Sequence, residues 1–178
     1  MREIELKFKV DNLDSFIEKL RSLGCEISEY INQADTIYVE NLKNTESVEG
    51  SVWLRVRKVN DKIEMNYKKQ SAKKSESQEI EFGVDDYEKA NSFLKALGYN
   101  EWVRVNKKRR YSKCLNANIC IDEVERLGSF VEIEYLIDEN DKTIDYEEEL
   151  LKIAEKLGID TSNQVNSHYD TMISELED

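Results

Sequence analysis

The chain contains no proline and a single histidine, His168, among its 178 residues. Without proline, there are no proline-rich linkers and no turns fixed by a cis-proline bond. One histidine argues strongly against catalytic clusters and metal sites built from several imidazoles. The three cysteines, Cys25, Cys114 and Cys120, form no Cys-x-x-Cys pair, which excludes zinc ribbons and thioredoxin-type redox motifs. An odd number of cysteines, with no signal peptide at the start, favours a reducing cytoplasm.

Long apolar segments are also missing. No run approaches the roughly 18 residues of a membrane span, so we expect no membrane partner. The net charge of −12 argues against binding to nucleic acid polymers, because that binding needs a basic surface. A chain of this length buries roughly 70% of its unfolded surface, so residues 1–178 are expected to form a single domain.

The tripeptide Glu-Ile-Glu occurs three times, and each time an alternating segment, an acidic turn and a helical pattern ending in Leu-Gly follow it. The three units span residues 3–24, 79–98 and 132–158. Period-2 alternation predicts a strand in the first half of each unit. Helical spacing and the terminal glycine predict a helix in the second half. We interpret the pattern as a duplicated strand–helix unit within one fold.

Further strand-like runs lie between the repeated units, at residues 51–59, 63–68, 102–113 and 118–124. The Lys/Ser-rich stretch 70–77 is interpreted as a mobile, solvated loop. About eight strands and three or four helices result. Since most strands are short and closely connected, an antiparallel α+β fold is predicted.

At least six of these strands have a charged face and an apolar face. A half-buried antiparallel sheet that faces water also shows this alternation. Here, however, the charged faces carry like charges two residues apart, which repel each other. Divalent cations would offset the carboxylates, and a polyphosphate would offset the basic residues. Such strands can close into a barrel with the charge inside and helices over the apolar outside. The like charges that lie two residues apart on one strand face are Glu3 and Glu5, Arg55 and Arg57, Glu79 and Glu81, and Glu132 and Glu134.

The basic run within 103–113 is ambiguous. Lys107 and Arg109 share one strand face, and Lys108 and Arg110 share the other. Periodicity does not decide which pair joins the charged interior, and a basic run is also typical of a solvated strand end.

Taken in order, the motifs resemble those of the CYTH superfamily, the triphosphate tunnel metalloenzymes. Glu3-Ile4-Glu5-Leu6-Lys7 is similar to the N-terminal Glu-x-Glu-x-Lys signature, and Ser167-His168-Tyr169 is similar to the C-terminal Ser-x-Tyr segment. One departure is Arg126, which stands where a glycine is usual. The other matching segments are Gln33-Ala34-Asp35, Leu54-Arg55-Val56-Arg57, Tyr67-Lys68, Glu79-Ile80-Glu81, Lys107-Lys108-Arg109 and residues 122–134.

The resemblance implies an eight-stranded antiparallel barrel-like tunnel with flanking helices, acting on triphosphates with Mg²⁺ or Mn²⁺. It favours Lys107 and Arg109 over their neighbours. The implied triphosphate clamp is Arg55, Arg57, Lys68, Lys107 and Arg109. The implied metal ligands are Glu3, Glu5, Glu132 and Glu134. Lys7, placed near the tunnel mouth, and Asp122 are the catalytic candidates, with Glu79, Glu81 and Asp35 in supporting roles.

Several functions follow from these residues. The chain is most similar to the class IV adenylyl cyclase and thiamine triphosphatase-like branch, so the leading reaction is ATP to cyclic AMP and pyrophosphate. An inorganic or thiamine triphosphatase is the alternative. A non-catalytic polyphosphate or nucleotide sensor, and a structural protein with solvent-facing charges, are the other readings. A small-molecule triphosphate is the expected partner, and a homodimer is expected because two-fold dimers are the commonest soluble oligomers.

Overall fold

The computed structural model of the protein describes residues 2–43, 45, 48–72, 76–138 and 145–176. Within these residues there are nine strands and four α-helices. The strands are β1 (Arg2–Lys9), β2 (Ile31–Val39), β3 (Val52–Val59), β4 (Lys62–Gln70), β5 (Glu76–Val84), β6 (Asn100–Cys114), β7 (Ala117–Val124), β8 (Gly128–Ile137) and β9 (Gln164–Val165). The helices are α1 (Leu13–Ser22), α2 (Tyr87–Ala96), α3 (Tyr146–Lys156) and α4 (Tyr169–Ser174).

The strands form one antiparallel sheet in the order β5-β4-β3-β2-β6-β7-β8-β1, and β5 returns to pair with β1. The closing contact is short, with Glu3 opposite Ser77 and Ile4 opposite Glu76. The two-residue β9 pairs with the other end of β1, where Val165 lies opposite Lys7. The eight long strands therefore form a closed barrel, and the predicted eight-stranded antiparallel α+β fold is confirmed.

Ile80 and Phe82 on β5 are more than half exposed, but the apolar outer faces of several other strands are covered by the helices. On β1, β7 and β8 they pack beneath α1 and α3, where Phe8, Leu20 and Leu150 are completely buried. Helix α2 covers Tyr38 and Val56 on β2 and β3. Because residues alternate along each strand, this outer packing directs the charged faces into the barrel. None of the described helices is long and apolar enough to cross a lipid bilayer.

The repeated units correspond to β1–α1, β5–α2 and β8–α3. Each of their helices is capped by the residue before it, whose side chain accepts a hydrogen bond from a backbone N–H in the first turn; the caps are Asn12, Asp86 and Asp145. Each helix is followed by a leucine and then by a glycine with positive φ, at Gly24, Gly98 and Gly158. The predicted helices and their glycine stops are therefore confirmed.

Other details differ from the sequence-based expectations. Gln70 still belongs to β4 and Ser77 already belongs to β5, so both ends of the predicted 70–77 loop lie in strands. Residues 73–75 of that loop lie outside the described part of the chain. Periodicity did not predict β9 or α4. Arg126 has φ of 70°, a left-handed conformation that explains why glycine suits this turn.

Cys25 and Cys114 are joined by a disulfide, with their Cα atoms 5.6 Å apart. It links the loop after α1 to the end of β6, next to a backbone hydrogen bond from Ser28 to Tyr111. Cys120 is a buried free thiol. The spacing of the cysteines in the sequence did not indicate this pairing.

Reduction of the disulfide should lower the free energy of unfolding. The two cysteines are 89 residues apart in sequence. A cross-link that closes a loop of that length restricts the unfolded chain and stabilises the fold by up to about 4.6 kcal/mol. Urea unfolding with and without dithiothreitol measures the effect, and Cys114→Ser should reproduce it without reductant. The control variant Cys120→Ser should keep the full response to reductant. Equal midpoints for the oxidised and reduced wild type would contradict the prediction.

Candidate functional site

A cavity of about 340 Å³ occupies the interior of the barrel. Charged side chains from β1 to β6 and β8 line it. All the predicted clamp, metal and supporting residues take part, together with Lys7. They are Glu3, Glu5, Lys7, Asp35, Arg55, Arg57, Lys68, Glu79, Glu81, Lys107, Arg109, Glu132 and Glu134. Asp122 lies behind this wall and is completely buried.

Apolar packing fills one end of the barrel. Tyr169 and Ile173 of α4 insert into a cluster with Trp53, Val103 and Phe130. Lys7 lies beside this segment, where its Nζ donates a hydrogen bond to the Ser167 carbonyl at 3.2 Å. Lys7 is therefore buried beside this apolar packing. Its predicted position near the tunnel mouth stays a prediction, because alternation fixes the face of a side chain but not its depth.

Two arginines on one side of the cavity share one carboxylate. Arg57 donates two hydrogen bonds of 2.7 Å to the two oxygens of Asp35. Arg55 Nη1 is 3.9 Å from Asp35 Oδ2, and Arg55 Nε has no hydrogen-bond partner among the described residues. Burial alone would raise the pKa of Asp35, but the Arg57 charge and its hydrogen bonds hold that pKa well below its usual range. Asp35 therefore orients Arg57 and leaves Arg55 underpaired.

A second basic group surrounds Asp122. Arg109 Nε donates to Asp122 Oδ1 at 2.6 Å, and Lys107 Nζ lies 3.3 Å from Oδ2. The Tyr169 hydroxyl also donates to Oδ2, at 3.0 Å. Because its oxygens already accept these bonds, the environment of Asp122 does not favour proton abstraction from a substrate. Its predicted catalytic role stays a prediction. Its contacts hold Lys107 and Arg109 in place. These two residues form the basic wall of the cavity together with Lys7, Arg55 and Arg57.

Glu132 lies in the same basic group. Its carboxylate accepts a hydrogen bond from Arg109 and is 3.5 Å from Lys7 Nζ. Burial opposes ionisation, but Arg109 and then Lys7 hold the pKa of Glu132 well below its usual range. Its predicted role as a metal ligand stays a prediction, since in this structure cations surround it.

Lys68 connects the basic and acidic sides of the cavity. Its Nζ is 2.9 Å from Glu79 Oε1, and Asn66 donates to the other Glu79 oxygen at 3.1 Å. Burial alone would raise the pKa of Glu79, but Lys68 and Arg55 lower it to about 2. Glu79 is therefore ionised and paired across the physiological range.

Glu3, Glu5 and Glu134 form the acidic side, with one oxygen from each lying within 4.8 Å of the others. Burial, followed by the charge of Glu5, raises the pKa of Glu3 to about 9. Burial also raises the pKa of Glu134, and the charge of Glu5 acts in the same direction. A proton on Glu3 thus relieves the repulsion. Oxygen donors in this number suit Mg²⁺ or Mn²⁺, which would relieve the same repulsion, so the residues fit a divalent cation.

The structure also resolves the basic run on β6. Lys107 and Arg109 are buried against the cavity, whereas Lys108 is exposed on the outer face. Arg110 lies outside as well, with its guanidinium 4.8 Å from the centre of the Tyr30 ring. Sequence reasoning missed Tyr169 as a wall residue, although the Ser-x-Tyr resemblance marked its segment.

The CYTH domain family model matches residues 1–169. The chain belongs to the CYTH family. A Methanocaldococcus jannaschii protein, named as a provisional adenylate cyclase, is 31% identical over 174 residues, covering 95% of this chain and 97% of its own length. The adenylate cyclase CyaB of Aeromonas hydrophila is 25% identical and covers 96% of this chain and 87% of its own. The structure of the PH1819 protein from Pyrococcus horikoshii has a TM-score of 0.81 at 28% identity, covering 98% and 99% of the two chains. The resemblance read from the motifs is thus confirmed.

In this CYTH barrel, Glu3→Gln should stabilise the metal-free protein at alkaline pH. Between pH 4.5 and 9 Glu3 is ionised in the unfolded chain but protonated in the fold, so wild-type stability falls as pH rises through this window. The difference in unfolding free energy should be near zero at pH 4.5 and should grow by up to about 1.4 kcal/mol per pH unit as the pH rises towards 8. Urea unfolding with a chelator measures it, with exposed Glu18→Gln as the control. A difference independent of pH would contradict the assignment.

Proposed function

We propose that this protein is a divalent-metal-dependent enzyme acting on the triphosphate group of a nucleotide, with ATP converted to cyclic AMP and pyrophosphate. The observation that carries the proposal is the underpaired basic wall inside a closed barrel. Arg55 Nε has no partner among the described residues, yet it is buried beside the cavity. A buried guanidinium N–H costs free energy unless a ligand accepts its hydrogen bond.

The number of charges supports a polyanionic ligand. Arg55 and Arg57 share Asp35, and Lys7, Lys107 and Arg109 share Asp122 and Glu132. In each group, the positive charges thus outnumber the negative charges of the carboxylates by one. Phosphate oxygens accept hydrogen bonds from arginine forks and from lysine ammonium groups. A chain of phosphates would contact both groups at once.

The acidic side supplies the residues that would hold the metal, Glu3, Glu5 and Glu134, with Glu132 as the fourth predicted ligand. When bound there, Mg²⁺ or Mn²⁺ supplies positive charge that offsets the charge of the phosphates. Asp35 and Asp122 hold the arginines in place, so the clamp is formed before substrate arrives. Lys7 is the proposed catalytic lysine, because its buried ammonium donates to the phosphate on which negative charge develops.

The relatives named adenylate cyclase favour the cyclase reaction, in which the ribose 3′-hydroxyl attacks the α-phosphorus. A triphosphatase, in which water attacks a terminal phosphorus, uses the same clamp, since both reactions depend on positioning and electrostatics. One observation favours this second candidate. The cavity of about 340 Å³ has a mostly charged lining and is near the small end of ligand pockets, which suits a triphosphate better than a purine.

The products formed from ATP and from tripolyphosphate test the proposal. With Mn²⁺ or Mg²⁺, we expect cyclic AMP and pyrophosphate from ATP, resolved from orthophosphate by anion-exchange chromatography. Glu134→Gln should lose most turnover, because it removes one carboxylate of the acidic group. Orthophosphate from tripolyphosphate with ATP unused would show a triphosphatase. No turnover with either substrate, together with tight tripolyphosphate binding, would show a binding module.

Arg55→Gln should weaken tripolyphosphate binding by about tenfold to a hundredfold, the equivalent of one charge-assisted hydrogen bond. The free energy of unfolding should stay constant or rise, because repulsion from Arg57 is relieved. Calorimetric titration of metal-free protein measures the affinity. The control is Lys58→Gln, which removes an exposed positive charge from the same strand. Equal affinity in both variants would support a structural protein whose charges bind no phosphate.

A further inference from the structure

The Tyr169 side chain lies where the lysines of the basic wall meet. It is 7% exposed, and its ring packs edge-on against Phe130 with the centroids 5.1 Å apart. Lys7 Nζ is 4.2 Å from the ring centroid and Lys107 Nζ is 5.0 Å from it. The same side chain donates its hydroxyl hydrogen to Asp122 at 3.0 Å. Tyr169, a single residue of the C-terminal segment, therefore contacts three groups that β1, β6 and β7 bring together.

The fold fixes this arrangement through β9. Val165 pairs with Lys7, which places the following residues against the end of β1. The Ser167 carbonyl then accepts the hydrogen bond from Lys7, and Tyr169 follows at the start of α4. Burial, followed by the charges of Glu132 and Asp122, raises the pKa of Tyr169, so its hydroxyl stays a donor.

A neutral aromatic ring differs from a carboxylate as a partner for an ammonium ion. The ring face attracts the cation but carries no net charge, so it does not repel an arriving phosphate. Asp122 and Glu132 also hold Lys107 and Lys7, but each competes with phosphate through its negative charge. Lysine has a long flexible stem, so its ammonium group keeps one position only when a partner holds it there. A partner that remains in place when phosphate binds would keep both ammonium groups beside the cavity.

We propose that Tyr169 is a positioning residue that holds Lys7 and Lys107 through its ring face, so that both ammonium groups are in place for the triphosphate. This inference rests on the proposed function, since it assumes that the basic wall binds phosphate. The hydroxyl bond to Asp122 orients the ring and is the smaller contribution.

Two substitutions separate the ring from the hydroxyl. Tyr169→Leu removes both and should raise the Kd for tripolyphosphate and the KM for the triphosphate substrate by about tenfold, with a smaller change in kcat. Tyr169→Phe keeps the ring and should restore both constants to within about twofold of the wild type. Calorimetry on metal-free protein gives the Kd, and steady-state assays with Mn²⁺ give KM and kcat.

Ile173→Ala is the control for packing of the C-terminal helix. Ile173 is 3% exposed in the same apolar cluster and lies one helical turn beyond Tyr169 on α4. Its loss should lower the thermal midpoint and leave the Kd unchanged when all proteins are assayed well below their midpoints. If Tyr169→Leu does not fold, Tyr169→Met replaces it as the variant without a ring.

The outcomes distinguish the two proposals. Weak binding in the Leu variant with normal binding in the Phe and Ile173→Ala variants supports the role of the ring. Wild-type affinity in the Leu variant, or equal weakening in the Ile173→Ala variant, overturns that role while the phosphate clamp stands. Wild-type protein that neither binds tripolyphosphate nor turns over a triphosphate overturns the proposed function and this inference with it.

Discussion

Burial of charge inside a closed barrel is the constraint on which the structure depends. A charged side chain that leaves water needs an opposite charge and hydrogen bonds within a few ångströms. Asp35 and Asp122 meet this need for the arginines, and both carboxylates are almost completely buried. These two carboxylates belong to the clamp as much as the cations do, because without them the arginines would repel each other and turn away.

The positive and negative charges do not cancel on either side of the cavity, and the excess has the opposite sign on the two sides. The basic side keeps an excess of positive charge. On the acidic side Glu3, Glu5 and Glu134 lie close together, and a proton on Glu3 reduces the repulsion between their carboxylates. Neither a phosphate chain nor a metal ion alone would neutralise both sides. A metal-bound triphosphate brings negative charge to the first side and positive charge to the second, which is why the asymmetry fits that class of ligand.

The alternating pattern predicted which strand faces are charged, and the repeated Glu-Ile-Glu units located three strand–helix pairs. The alternating pattern could not predict which charged side chains lie opposite each other, because that depends on the register between strands far apart in sequence. Glu132 and Glu134 share one face of β8, yet Glu132 lies opposite Lys7 and Glu134 lies opposite Glu5. Their surroundings therefore differ, one cationic and one acidic. The disulfide and the insertion of Tyr169 depend on the same long-range placement and have no local signal.

Either reaction requires a group to accept the proton of the nucleophile, and the charge balance restricts where that group lies. Asp35, Glu79 and Glu132 are held ionised by cations, and a carboxylate with such a low pKa is a weak base. The oxygens of Asp122 already accept hydrogen bonds from Arg109, Lys107 and Tyr169. Raised pKa values are found instead on Glu3 and Glu134, the residues proposed to hold the metal. A carboxylate that holds a cation loses basicity, so the roles of ligand and base compete for the same few side chains. In the proposed reaction, the acidic side rather than the clamp is therefore the place where a base is expected.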